Sequence, residues 1–119
     1  MMDVYEYAVI RYVPDVEREE FLNVGLLMMC KHRRWIRAQI ELNEDRLARF
    51  DAPHPAAYIS DQLRTFSHTD GPIGQLPVEE RFRWLSAVKS SCLQTSRPHP
   101  GLTDDPDATF EDLFTRLVR

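Results

Sequence analysis

Three segments near the start of the chain have the apolar and polar patterns of β-strands, since the first is apolar on both faces, the second has one wholly apolar face and the third alternates cleanly. They cover residues 4–13, 21–31 and 35–42. Because short polar links separate them, we predict three consecutive antiparallel strands in a meander. The second segment has a wholly apolar predicted face, made of Leu22, Val24, Leu26, Met28 and Cys30. The third predicts a half-exposed strand whose inward side chains are Ile36, Ala38, Ile40 and Leu42.

From residue 43 onward the apolar spacing changes to that of helices. Asn43 is expected to cap a short helix over 44–50, since an Asn side chain accepts a hydrogen bond from the first helical turn. Apolar residues then recur at intervals of three and four in 56–66 and again in 78–89. We therefore predict three helices before residue 90.

The last third of the chain predicts one more strand and one more helix. The strand is expected over 91–97, a rigid loop over 98–105, and the start of the helix near Asp107 or Thr109. The predicted fold is a single domain, 1–119, of the α+β class. It is an antiparallel meander sheet of about four strands with three to four helices, mainly on one face.

Composition and charge restrict the classes of function. The chain has 119 residues, of which 43% are hydrophobic and 29% charged, and its net charge is −4. Such a chain has no overall attraction to nucleic acid or to an anionic membrane. The longest apolar run, 24–30, is too short for a membrane helix, and the first residues do not have the pattern of a signal peptide. We expect a cytoplasmic protein with Cys30 and Cys92 reduced, although a disulfide within one sheet would also be compatible with the pattern.

Residues 89–106 form the most polar segment of the chain, and they are the main candidate for a functional surface. Their candidate side chains are Ser90, Ser91, Gln94, Ser96, His99, Asp104 and Asp105. A metal site would need at least three ligands in a suitable pattern, and capping of the last helix by Asp104 or Asp107 is the simpler explanation. The Lys89–Ser90 pair is too weak a signal to assign a nucleophile. We therefore predict no catalytic residue, metal or cofactor.

Arg11 and Asn23 interrupt strands that are otherwise apolar. Gly25 is predicted on the same face as Asn23. A buried arginine needs a partner, and the candidate carboxylates are those of Glu6, Asp104 and Asp105. One interpretation is a structural polar network that joins the 98–105 loop to the sheet. The other is a small pocket or a partner-binding surface beside that network.

The second predicted hairpin carries a concentration of positive charge. Its basic residues are Lys31, Arg33, Arg34 and Arg37, and Trp35 lies among them. Basic residues beside an aromatic ring can bind single-stranded nucleic acid. The alternative is a solvated hairpin whose charges prevent pairing between sheet edges, and the acidic net charge favours that interpretation. No glycine-rich phosphate loop is present, so nucleotide binding through such a motif is not expected.

Several longer motifs together identify a family resemblance. They are Tyr-Ala-Val-Ile-Arg-Tyr-Val-Pro-Asp from Tyr7, Glu-Phe-Leu-Asn-Val-Gly from Glu20, Phe-Arg-Trp-Leu from Phe82, Ser-Ser-Cys-Leu-Gln-Thr-Ser from Ser90 and His-Pro-Gly-Leu-Thr-Asp-Asp-Pro from His99. With them, nearly the whole chain resembles the bacterial family known as domain of unknown function 3037. The resemblance implies no activity. It does imply a partner, because members of the family are often encoded beside kinases similar to the HipA toxin.

The leading hypothesis from the sequence is a non-catalytic module that binds another protein, which the resemblance suggests is a kinase encoded nearby. The half-exposed strand from Trp35 to Glu41 is a second candidate docking edge. One alternative is a small hydrolase or nuclease in which His99, Asp104 and Asp105 converge with Arg11 in a pocket. Another is nucleic-acid binding through the basic hairpin. The sequence predicts no particular oligomeric state.

Overall fold

The computed structural model of the protein describes residues 1–50, 53–67, 73–87 and 92–119. Within these residues the chain forms an antiparallel sheet with helices, which confirms the predicted α+β class. The strands are β1 (Asp3–Tyr12), β2 (Leu22–Cys30), β3 (Trp35–Ile40), β4 (Leu93–Thr95) and β5 (His99–Thr103). Strands β3, β2 and β1 form the predicted meander, and both β4 and β5 pair with the free side of β1.

Helices cover both faces of this sheet. They are α1 (Glu44–Ala48), α2 (Ala56–Ser67), α3 (Val78–Ser86) and α4 (Pro106–Leu117). The first face of the sheet carries Ala8, Ile10 and Tyr12 of β1, and it packs against buried residues of α1, α2 and α3. The second face carries Tyr7 and Val9 and packs against α4. Three of the four described helices thus share one face, which confirms the prediction. None of them is long and apolar enough to cross a membrane.

A β-bulge in β2 changes which of its side chains share a face. Ile10 pairs with Gly25 while Arg11 pairs with Asn23, so Val24 is the extra residue. The predicted single apolar face is therefore wrong. Leu22, Val24, Leu27 and Met29 lie on the first face, whereas Leu26 and Met28 lie on the second. The predicted common face for Asn23 and Gly25 is wrong for the same reason. Gly25 lies against β3, since a Cβ there would be 2.8 Å from the carbonyl oxygen of Gln39.

The segment predicted as a rigid loop over 98–105 contains β5, which is a further correction. Strands β4 and β5 lie end to end along β1, because Thr95 pairs with Ile10 and His99 pairs with Tyr7. Pro98 and Pro100 are compatible with this position because the two strands form an edge of the sheet, where a missing N–H is tolerated. Gly101 allows close approach of Tyr5, whose ring would lie 2.4 Å from an added Cβ.

The two cysteines lie at opposite ends of β1. The Cys30 thiol donates a hydrogen bond to the carbonyl of Val4 at 3.5 Å, whereas the carbonyl of Cys92 accepts one from the N–H of Val13. Val13 lies nine positions beyond Val4 in the extended chain, about 30 Å. A disulfide needs Cα atoms within about 7 Å, so these two buried thiols do not pair.

Candidate functional site

Three candidate residues from the sequence form one row across the sheet. Arg11 of β1 pairs with Asn23 of β2 on one side and with Gln94 of β4 on the other. Paired residues of neighbouring strands have their side chains on the same face, so all three lie on the second face. We call Gln94, Arg11 and Asn23 the polar row. All three residues are half-buried, and the row lies beyond the apolar cluster beneath α4.

Arg11 lacks the carboxylate partner that its burial predicts. Its guanidinium lies 4.1 Å from the centre of the Phe21 ring, and its Nε is buried without a hydrogen-bond partner among the described residues. Of the proposed partners, Glu6 pairs instead with Arg83 of α3, and the side chain of Asp105 caps α4. Asp104 lies beyond the far end of β5. The predicted network from Arg11 to the 98–105 segment is therefore wrong.

Asn23 joins the polar row to the end of α4. Its Nδ2 donates a hydrogen bond to the carbonyl of Leu117 at 2.9 Å, while its Oδ1 is buried without a partner in the described part of the chain. Arg46 Nη1 also donates to this helix end, at the carbonyl of Val118, 3.1 Å away. The last carbonyls of a helix have no partner within the helix, so these two side chains stabilise the C-terminus of α4.

Ser96 continues the hydrogen bonding to β1 in the gap between β4 and β5. Its N–H donates to the carbonyl of Val9, and its Oγ accepts from the N–H of Val9, each at 2.8 Å. The side chain thus replaces a backbone acceptor that the break removes. Ser96 is buried, with 6% of its surface exposed. These two hydrogen bonds give Ser96 a structural role, and that role explains why this position is polar.

His99, Asp104 and Asp105 do not converge. The His99 ring packs beside Tyr7 with the ring centres 5.2 Å apart, whereas Asp104 and Asp105 follow the opposite end of β5. Thr103 lies four positions along the strand from His99, about 13 Å. Within the described residues no group of three metal-ligating side chains exists. The pocket that the hydrolase or nuclease hypothesis requires is therefore not formed.

The cap of α4 corrects a further prediction. Asp105, rather than Asp104 or Asp107, is the N-cap, and its Oδ1 accepts from the N–H of Ala108 at 3.2 Å. Thr103 supports this turn, because its Oγ1 accepts from the N–H of Asp105 and bonds the Thr109 hydroxyl. Pro106 occupies the first turn as expected. Ser90 and Ser91 lie outside the described residues.

Carboxylates neutralise most of the basic hairpin. Lys31 pairs with Glu79 at 2.6 Å, Arg33 with Asp3 at 2.6 Å, and Arg37 with two acidic side chains of α4. Lys31 holds the pKa of the Glu79 carboxyl below its usual range, and the Arg33 hydrogen bond does the same for the pKa of Asp3. Arg34 has a positive φ of 52°, completes the turn and is exposed. This arrangement fits a solvated hairpin tip and gives no support to nucleic-acid binding.

A buried tyrosine and a histidine form a contact that the sequence analysis missed. The Tyr12 hydroxyl and His54 Nδ1 are 2.8 Å apart, and the Tyr58 ring stacks on the imidazole at 5.5 Å. Burial raises the pKa of the Tyr12 hydroxyl above its ordinary value, with a smaller contribution from Cys92. Tyr12 and His54 are 42 positions apart, so no local pattern connects them. The one sequence feature that could have indicated part of this contact is the four-residue spacing of His54 and Tyr58.

The described residues leave part of the first face of the sheet exposed. Val4 and Leu102 are direct partners in β1 and β5, and they are 54% and 61% exposed. Met2, at 56% exposure, precedes the same strand. We call Met2, Val4 and Leu102 the bare patch. It lies on the face that carries Ala8 and Ile10, because residues two apart in a strand share a face.

Comparison with known proteins gives a family and nothing more specific. No curated protein and no solved structure matches the chain. A family model does match, over residues 7–118, and its description is "Protein of unknown function (DUF3037)". The match includes all of the polar row and most of the sheet. The chain therefore belongs to the DUF3037 family of proteins of unknown function.

Proposed function

We propose that this protein is a non-catalytic binding module and that its partner is another protein, which docks on the bare patch. The observation that carries the proposal is the exposure of Val4 and Leu102, two apolar side chains directly opposite each other on neighbouring strands. Single exposed apolar residues are common, but adjacent ones on a rigid surface are typical of interaction sites. Burying them would remove apolar area from water, which is the main favourable term in protein association.

The surroundings of the bare patch favour contact with its face rather than addition of a strand at its edge. Pro98 and Pro100 lack the N–H groups that a new strand would need from that edge. The ion pair between Glu6 and Arg83 lies on the same face, because Glu6 is two residues from Val4 in β1. An apolar centre with a polar rim suits a partner that presents apolar side chains within a charged margin, such as an amphipathic helix.

The second docking edge that the sequence predicted, β3, is less favourable. Each of its six residues is half-buried, and Ile36, Ala38 and Ile40 pack against the core of the first face. Arg37 is engaged by Asp107 and Glu111 of α4. The bare patch offers more apolar surface and fewer existing contacts. Kinases similar to the HipA toxin, which the family resemblance implies as neighbours, are the first candidates for the partner.

The test begins with the tagged protein at near-native expression, from which bound proteins are identified by mass spectrometry. A stoichiometric partner is then purified, and its affinity is measured for the unmodified protein and for Leu102→Asp. We expect the substitution to weaken binding at least about tenfold, since it places a charge in an apolar interface.

The matched control is Tyr58→Asp, which changes an exposed apolar side chain on α2. It should leave the affinity unchanged, and thermal unfolding should show that both variants are folded. Absence of any stoichiometric partner, or equal affinity for the Leu102→Asp variant, would refute the proposal.

A further inference from the structure

The polar row contains a half-buried arginine that has no polar partner among the described residues. In the described part of the chain, each other half-buried arginine has a polar partner. Arg37 contacts Asp107 and Glu111, and Arg46 and Arg81 donate to backbone carbonyls. Arg11 is half-buried on the sheet, and its guanidinium lies over the ring of Phe21 with no polar partner among the described residues. A partly desolvated charge without a polar partner is unfavourable, so an anion at this position would be stabilising.

The geometry around Arg11 is suited to a planar group with two oxygens. The Phe21 ring holds the guanidinium from one side, 4.1 Å away, and so restricts its orientation. A guanidinium in a fixed plane presents parallel N–H donors that match a carboxylate or a phosphate. Phe21 is itself 43% exposed, so the surface beside the guanidinium is open to solvent.

Gln94 supplies a second donor on the same row. It lies directly opposite Arg11 on β4, and no hydrogen bond fixes its side-chain amide among the described residues. The side chain of Asn23, on the other side of Arg11, is occupied by the Leu117 carbonyl through its Nδ2. Gln94 is therefore the amide of the row whose N–H groups are available to an anion.

We propose that Arg11 and Gln94 bind an oxyanionic group, a carboxylate or a phosphate, of a small ligand, with Phe21 as the apolar wall of the site. This site lies on the second face of the sheet, away from the bare patch, so it does not depend on the proposed protein partner. The Arg11 Nε marks the same place, since it is a buried donor without a hydrogen-bond partner in the described residues.

The experiment follows the side-chain NMR signals of Arg11 Nε–H and Gln94 Nε2–H₂ during titration. Inorganic phosphate and acetate are used as separate probes, each at an ionic strength held constant with sodium chloride. We expect saturable shifts of both signals in the unmodified protein. The probe that saturates at the lower concentration identifies the preferred oxyanion.

Variants test whether the binding depends on the polar row. Arg11→Gln should weaken it at least about tenfold, because the charge-assisted hydrogen bonds are lost, and Gln94→Ala should weaken it less. Arg11→Lys keeps the charge but loses the planar fork, so it should also bind more weakly, and it serves if Arg11→Gln does not fold. Arg97→Gln changes an exposed neighbouring arginine and should have no effect.

Two results would overturn the proposal. The first is a linear shift with both probes, which would indicate a general salt effect. The second is saturable binding that Arg11→Gln and Arg11→Lys leave unchanged, which would place the anion elsewhere. A purely structural role for Arg11 predicts the first result together with a lower free energy of unfolding in Arg11→Gln.

Discussion

The two faces of the sheet are closed in different ways. On the first face, fifteen described buried residues from three strands, three helices and the residue before β4 form one cluster. On the second face, seven described buried residues form the cluster, and α4 is the one described helix that contributes to it. Among the described elements, the second face therefore depends on a single helix, whereas three helices contribute to the cluster of the first.

Polar contacts compensate for this difference at both ends of α4. Asp105 and Thr103 fix its N-terminus, and Asn23 and Arg46 fix its C-terminus through the carbonyls of residues 117 and 118. Asn23, which contacts the second of these ends, pairs with Arg11 on the neighbouring strand. A face closed by one helix thus uses polar groups to hold both ends of that helix, and two buried polar atoms without partners among the described residues, on Arg11 and Asn23, lie at its margin.

The largest expected effect comes from removing a buried phenylalanine on either face of the sheet. Phe114 of α4 and Phe82 of α3 are both fully buried, so replacing either with alanine should lower the free energy of unfolding by about 3–5 kcal/mol. In Phe114→Ala we expect α4 to open locally, because no other described helix contributes to the cluster on that face. In Phe82→Ala we expect only the global stability to fall. Denaturant unfolding combined with amide hydrogen exchange measures both quantities.

The two alanine variants serve as controls for each other, since they remove the same side chain from opposite faces. The α4 amides of Phe114→Ala should exchange faster than the amides of β1 and β2. If instead all of these amides exchange at one global rate in both variants, the two faces form a single cooperative unit and the comparison fails.

A smaller effect is expected at the edge of the sheet where β4 and β5 pair with β1. Ser96→Ala removes the acceptor for the N–H of Val9, a residue that is only 6% exposed. A buried donor without a partner costs about 1–3 kcal/mol, and chemical unfolding would measure the loss. Ser60→Ala on the exposed surface of α2 is the control and should change stability by less than about 0.5 kcal/mol. Equal stability of the two variants would mean that water satisfies the Val9 N–H.

Local patterns were sufficient to predict the meander and the helices, because alternation and helical spacing are read within short windows. The bulge was not predictable, since Val24, Gly25 and Leu26 are apolar or small in either register. Strand β5 was missed because His-Pro-Gly is typical of a loop. Its strand conformation depends on pairing with residues 3–7, which are nearly 100 positions away.

The residues of the candidate site were predictable only where a polar residue interrupts an apolar strand. Arg11 and Asn23 stand out because each is polar in an apolar strand. The partner of Asn23 is a backbone carbonyl at Leu117, and a carbonyl has no sequence signal. Ser96 and Asp105 were selected for their polarity, and in the structure their side chains accept hydrogen bonds from backbone N–H groups. The contact between Tyr12 and His54 depends on tertiary packing alone.

The smallest expected effect concerns two ion pairs at the hairpin tip. Lys31 pairs with Glu79 on α3, and Arg33 pairs with Asp3 at the start of β1. Both partners lower the pKa of the carboxyl, from ordinary values of 4.5 for Glu79 and 3.8 for Asp3. A lowered folded-state pKa means that the unfolded chain binds more protons in this range, so stability rises with pH there. The contribution is complete above the ordinary values and is lost as the pH falls through the lowered ones.

Glu79→Gln and Asp3→Asn should therefore each flatten the dependence of unfolding free energy on pH between about pH 5 and pH 3. Titration of stability by chemical unfolding in low salt is the measurement. Glu80→Gln, on the same helical turn and without an ion pair among the described residues, is the control and should keep the slope of the unmodified protein. Because both pairs lie at the surface, about 0.5 M salt should remove the difference. If Glu79→Gln leaves the slope unchanged at low salt, the ion pair between Lys31 and Glu79 does not contribute to the free energy of unfolding. The packing of α3 on the first face would then depend on its apolar contacts alone.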